Sequence, residues 1–205
     1  MLVRKSLLTA SLCDSSCVVS PTSESDHATG GGSVALLEVN ATERKFGRKL
    51  HACELSYLVA FEDNTYRYGA ITLLRGSISF SGFAAASEAR PEVAIRVEVF
   101  DIADGEARHT PLDYAFVTMQ GFSTLGRERS IDSCNGKGIG LSFSAMDNIE
   151  LGIRAGQDFE VGIKRSGATT NIIVPIALSR SDPRKGEKFA TSAQTLMKSL
   201  HKGFN

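Results

Sequence analysis

Between Val93 and Phe100 hydrophobic and polar residues alternate: Val93, Ile95, Val97 and Val99 fall on one face of an extended strand, Arg96 and Glu98 on the other. The pattern predicts a strand with one packed face and one wet face. Runs of β-branched and aromatic residues bounded by turn formers predict further strands over 50–61, 70–74, 77–83, 114–119, 140–143, 159–164 and 171–178, with a short one over 149–153. Glu62-Asp63-Asn64, Ala103-Asp104-Gly105 and Ser166-Gly167 supply residues that tolerate turn geometry. Eight or nine strands without helical patterns between them indicate an all-β sandwich or closed barrel rather than a βαβ sheet, and the expected architecture is a jelly-roll-like β-sandwich over 34–179.

The two ends read differently. Residues 18–33 are poor in apolar side chains and rich in Ser, Thr and Gly, so they bury too little surface to offset their ordering entropy, and 1–33 is expected to be a flexible, disordered N-terminal segment. At the other end, Ser181 and Asp182 offer a cap ahead of Pro183, and Phe189, Ala193, Leu196, Met197 and Leu200 recur at helical spacing. A basic amphipathic helix is therefore expected within 180–205. Covering an open edge of the sandwich is its expected role, with binding to a partner or a membrane surface as the alternative.

With 205 residues, 42% of them hydrophobic, one β domain can build a sizeable core. The 23 basic and 23 acidic residues cancel, so any argument for a charged partner must rest on local clusters. Four cysteines, Cys13, Cys17, Cys53 and Cys134, are too few and scattered for a disulfide-built scaffold, which favours a reducing compartment. The first twenty residues fit a secretory signal poorly, because Thr9 and Ser11 interrupt the apolar run and Asp14 occupies the cleavage region. No stretch approaches the roughly twenty apolar residues that cross a bilayer as a helix.

Catalytic and metal chemistry finds little support. His27, His51, His109 and His201 are isolated and the cysteines form no ligand box, so no metal is expected. His51 and Cys53 would share a strand face without a third, orienting group, which reads as packing. Gly136-Lys137-Gly138-Ile139-Gly140 lacks the Walker spacing and a following helix, and reads as a glycine-rich turn entering a strand. Asp101 and Asp104 flank one turn and read as solvated or hydrogen-bonded acids. No enzyme activity, cofactor or small-molecule substrate is assigned.

Local charge is more informative. Arg44, Lys45, Arg48 and Lys49 form a compact cluster around Phe46, and Arg127 and Arg129 form a second. After Leu178 come Arg180, Arg184, Lys185, Lys188, Lys198 and Lys202 against only Asp182 and Glu187. Such clusters suit phosphates; a solvated face balanced by charge elsewhere is the competing reading.

The stretch 68–178 resembles the thirty-kilodalton superfamily of plant-virus cell-to-cell movement proteins. The likeness begins at Gly69-Ala-Ile-Thr-Leu-Leu74 and Ser77-Ile-Ser-Phe-Ser-Gly82, then reaches Ile95-Arg-Val-Glu-Val-Phe-Asp101, a strand ending in aspartate. It continues through Leu141-Ser-Phe-Ser-Ala-Met-Asp-Asn-Ile149, Phe159-Glu-Val-Gly-Ile-Lys-Arg165 and Ile172-Ile-Val-Pro-Ile-Ala-Leu178, while the connection over 121–137 is longer and more polar than the family's. The resemblance implies a jelly-roll-like core and binding of single-stranded RNA without sequence preference. It also implies action in the host cytoplasm and at plasmodesmata, contact with host membranes or plasmodesmal proteins, and self-association. Asp101 is the one residue carried over, with a structural role at a turn. In this reading Lys and Arg neutralise phosphates and Phe46 offers a stacking surface.

Two other classes compete. Arg44-x-x-x-Arg48 followed by Ser77-x-Ser79-x-x-Gly82 resembles the motif pair of PilZ receptors, bacterial cytoplasmic domains that bind cyclic di-GMP, although Ser77 stands where that family carries an acidic or amide side chain. A secreted β-sandwich binding module is the third reading and would require the N-terminal signal to be real.

Overall fold

Strict alternation becomes long strands. In the computed structural model, which describes residues 26–27, 33–64, 70–82, 92–124, 129–133, 136–141 and 143–203, the chain is mostly β and its sheets are antiparallel. Strands β2 (Ser33–Phe46), β3 (Lys49–Asp63), β4 (Ala70–Ser81) and β5 (Glu92–Ala103) each pair with the next along the chain, giving a four-strand meander. Burial follows the two-residue period: Cys53, Leu55, Tyr57, Val59 and Phe61 of β3, Leu74, Ile78 and Phe80 of β4, and Val93, Ile95, Val97 and Val99 of β5 are all buried on one face. Each such side chain contributes about 1.5–3 kcal/mol when fully withdrawn from water.

The same sheet is extended at both sides. Strand β1 (Asp26–His27) pairs with the start of β2, so Asp26, His27 and Ser33, all expected in the flexible segment, lie in strands; the other residues of 1–33 lie outside the described residues. Strand β6 (Glu106–Thr110) returns along β5 through Asp104 and Gly105, whose φ angles of 55° and 80° are the left-handed pair that a two-residue hairpin of this twist needs. Beyond β5 come β10 (Gly136–Leu141) and β9 (Arg129–Ser133), giving the order β1-β2-β3-β4-β5-β10-β9. A second sheet pairs β7 (Leu112–Met119), β8 (Phe122–Ser123), β11 (Phe159–Arg165) and β12 (Ile172–Ile176) in the order β12-β11-β7-β8. The rings of Tyr57 and Phe159 meet edge to face across the core, with centroids 5.4 Å apart.

Several expectations need correcting. Residues 70–74 and 77–83 are not two strands: Arg75 and Gly76 continue β4, and Gly76 is required because a Cβ there would sit 2.2 Å from the Tyr57 ring. The expected strand over 149–153 is helical. It lies in α1 (Phe143–Arg154), where Ala145, Met146, Ile149 and Ile153 are buried at helical spacing, so a helix does intervene between strands. Asp63 is the buried end of β3 rather than a turn residue.

The C-terminal segment forms α2 (Pro183–Gly203) after a single 3₁₀ turn over Leu178–Arg180. Asp182 caps the helix by accepting the backbone N–H of Arg184, and Phe189, Ala190, Ala193, Leu196 and Met197 face the core. Arg154 at the end of α1 donates to the Ala190 carbonyl of α2 at 3.4 Å, tying the helices together. Neither helix is long and apolar enough to cross a membrane among the described residues.

Candidate functional site

The basic cluster around Phe46 is the tip of a hairpin. Phe46 of β2 and Lys49 of β3 face each other in register, and only Gly47 and Arg48 lie between them. Gly47 has φ 60°, and a glycine at the first central position of a two-residue hairpin is what a positive φ demands there. A bulge between Arg44 and Lys45 leaves His51 without a register partner, and its ring meets the edge of Phe46 at 6.0 Å. Phe46 is 81% exposed, the most open of the large hydrophobic side chains described.

Charge at the tip is strongly one-sided. Arg44, Lys45, Arg48 and Lys49 are all exposed. Lys45 pairs with Glu43 at 2.8 Å, whereas Arg44, Arg48 and Lys49 have no ion-pair partner among the described residues. The Glu43 carboxyl is held below its ordinary range by hydrogen bonds from Lys45 and from Ser192 of α2, so it stays ionised and occupied.

Helix α2 brings the second cluster beside the first. Lys185 donates to the Val39 carbonyl at 2.6 Å, Lys188 to the Ala41 carbonyl at 3.3 Å and Ser192 to Glu43 at 2.6 Å, so α2 runs alongside β2 toward the hairpin tip. The contacts occupy backbone carbonyls of β2, and α2 packs on β3 as well. Each ammonium has three donors, and a carbonyl uses one, so the lysines keep donors for a further acceptor. Two clusters about 140 residues apart in sequence thus form one cationic edge, running from Val39 to Phe46 over about 23 Å at the usual strand rise.

The remaining predicted cations are elsewhere or engaged. Arg184 forks onto Asp182 at 2.9 and 3.0 Å, and Arg180 lies exposed in the 3₁₀ turn. Arg129 begins β9, five strands from β2 in the sheet, and Arg127 lies outside the described residues.

Asp101 does not cap a turn. Strand β5 runs on past it to Ala103, and its side chain points inward, where Arg165 donates to both carboxylate oxygens at 2.8 and 3.1 Å. Thr72 and Thr110 add hydrogen bonds at 3.2 and 2.8 Å, and Arg165 also donates to Asp63 at 2.9 Å. The cluster is almost fully buried and ties β3, β4, β5 and β6 to β11 of the other sheet. The sequence carries no site assignment for Arg165 and reads Asp63 as a turn residue, yet the signal is there: each closes an apolar alternation, as Asp101 does after Val93, Ile95, Val97 and Val99.

Cys53 is buried, and desolvation first, then Glu43 and Glu54, push its thiol up to about 12. A thiol held protonated in this way is a poor nucleophile, and the contact His51 makes is with Phe46. No group of three His, Cys, Asp or Glu side chains is arranged to hold a metal among the described residues.

No family model, no curated protein and no solved structure matches this chain.

Proposed function

We propose that this protein binds single-stranded nucleic acid without sequence preference, as the resemblance to plant-virus movement proteins implies, and does so along the cationic edge formed by β2, the β2–β3 hairpin and α2. The observation that carries the reading is Phe46, 81% exposed and flanked by Arg44, Lys45, Arg48 and Lys49. Cations neutralise successive phosphates while an aromatic face accepts a base of any identity, which yields affinity without sequence readout. Binding needs no catalytic residue. Arg180, Arg184, Lys185 and Lys188 would extend the contact, whereas Arg129 belongs to β9, five strands away from β2.

Transport of the viral genome through plasmodesmata, from the host cytoplasm and with host membranes or plasmodesmal proteins as partners, is the biological role that goes with this reading. A jelly-roll-like connectivity belongs to it as well. The meander of β2 to β5, in which chain neighbours stay in one sheet, argues against that connectivity, but the binding edge does not depend on it.

A PilZ-like receptor remains the second reading for one reason: Arg44, Ala52 and Ser81 fall in one cross-strand row, which sets Arg44 at the same end of the sheet as the Ser77–Gly82 motif. One titration separates the two. A labelled single-stranded RNA of arbitrary sequence should bind at low salt, weaken as salt rises and ignore added cyclic di-GMP. Stoichiometric binding of the dinucleotide with no RNA binding would overturn the first reading in favour of the second.

A further inference from the structure

The face of the first sheet that points away from the second sheet is apolar at the end remote from the hairpin tip. Ala60, Leu73, Phe100 and His109 form one row across β3, β4, β5 and β6. Ile71 beside them is 50% exposed, and Leu73 and Phe100 are half-buried. The next row holds Arg75 on β4 and Glu98 on β5, 3.9 Å apart, with the Arg75 guanidinium 5.6 Å above the Phe100 ring. Contiguous apolar side chains on an outer sheet face are candidate contact surfaces.

The register makes this face complementary to itself. Leu73 is paired with Phe100, Arg75 with Glu98 and Ser77 with Arg96 across β4 and β5. Rotating a second copy by 180° about an axis in the plane of the interface, parallel to these strands and midway between them, lays β4 of one copy over β5 of the other. Leu73 then meets Phe100 of the second copy, and Arg75 meets its Glu98, twice over by symmetry. Closed two-fold pairs use one patch against itself, and face-to-face sheets pack about 10 Å apart, within reach of these side chains.

We infer that a second copy of this chain docks on the outer face of β4 and β5, through Leu73 and Phe100 at the centre and reciprocal Arg75–Glu98 contacts at the rim. The surface lies at the other end of the sheet from the hairpin tip, about eight residues along β3 from the row that holds Arg44, so the pair leaves the tip itself open.

The test uses sedimentation of the full chain over about 1 to 100 μM, the range where interfaces of modest size dissociate. The wild type should show a concentration-dependent dimer. Arg75→Glu and Glu98→Arg should each sediment as monomers, since each sets like charges against one another twice, raising the dissociation constant about tenfold or more. An equimolar mixture of the two variants should recover the dimer, because both rim contacts then join opposite charges; a defect confined to one folded chain could not be repaired by mixing. Ile71→Lys, at a position already half open, should weaken the wild-type dimer without loss of fold. A wild type that stays monomeric throughout, a dimer indifferent to Ile71→Lys, or single variants that mixing does not rescue would each overturn the inference.

Discussion

Arg165 of β11 and Asp101 of β5 form a two-pronged, buried ion pair between the two sheets, at 2.8 and 3.1 Å, although 64 residues separate them. Both close alternations that are otherwise apolar, so the register that builds the core also delivers the charges to each other. With Asp63 on the same guanidinium, removal of the arginine would strand two buried carboxylates. Arg165→Leu is therefore expected to cost about 3–5 kcal/mol in denaturant unfolding. A loss below about 1 kcal/mol would mean that the cluster is hydrated and contributes little.

Tyr57 shows the opposite balance. Its hydroxyl is buried with no hydrogen-bond partner among the described residues, and burial raises its ionisation above the ordinary phenol value. Tyr57→Phe keeps the ring over Gly76 and against Phe159 while removing an unsatisfied polar group. The variant should be more stable by on the order of 1 kcal/mol, measured by thermal or chemical unfolding. Destabilisation would reveal a partner for the hydroxyl.

Cys53 gives a pH dependence with a definite sign. Its folded pKa is raised from 9.0 to about 12, so the protonated thiol favours the folded state. That contribution is complete below pH 9 and is lost as pH rises from 9 toward 12. The stability difference between the wild type and Cys53→Ala should accordingly narrow across that window. Site-resolved alkylation should also find Cys53 unreactive at pH 8 until the protein unfolds; rapid labelling of the folded protein would contradict its burial.

Phe46 separates binding from stability. A side chain this exposed adds little to the fold, so Phe46→Ala should change unfolding free energy by no more than about 0.5 kcal/mol. Loss of a stacked base should weaken RNA binding by about 1–3 kcal/mol in a titration at fixed salt. Equal affinities for the two proteins would remove Phe46 from the interface.

How much of this was legible in the sequence depends on whether one period governed a segment. Strand β5 was plain because Val93, Ile95, Val97 and Val99 keep one parity throughout. Strand β2 was not: a bulge between Leu36 and Glu38 shifts the buried set from Val34 to Val39, breaking the alternation that marks a strand. Helix α1 was hidden because Ile149 and Ile153 are β-branched and four apart, which satisfies strand and helix spacing alike. The hairpin cations were legible as a cluster. Their union with Lys185 and Lys188 was not, because it depends on α2 docking along β2, a long-range contact that no local pattern announces.

The most direct test of the cationic edge is the salt dependence of RNA binding by the wild type and by a variant with Arg44, Arg48 and Lys49 all replaced by alanine. These side chains are exposed and without ion-pair partners among the described residues, so the fold should survive their loss. Each phosphate contact adds about 0.7 to the slope of log affinity against log salt for a single strand. The expected result is weaker binding and a slope shallower by about 2 in the variant. An unchanged slope, or a wild type that binds no RNA at low salt, would contradict the account.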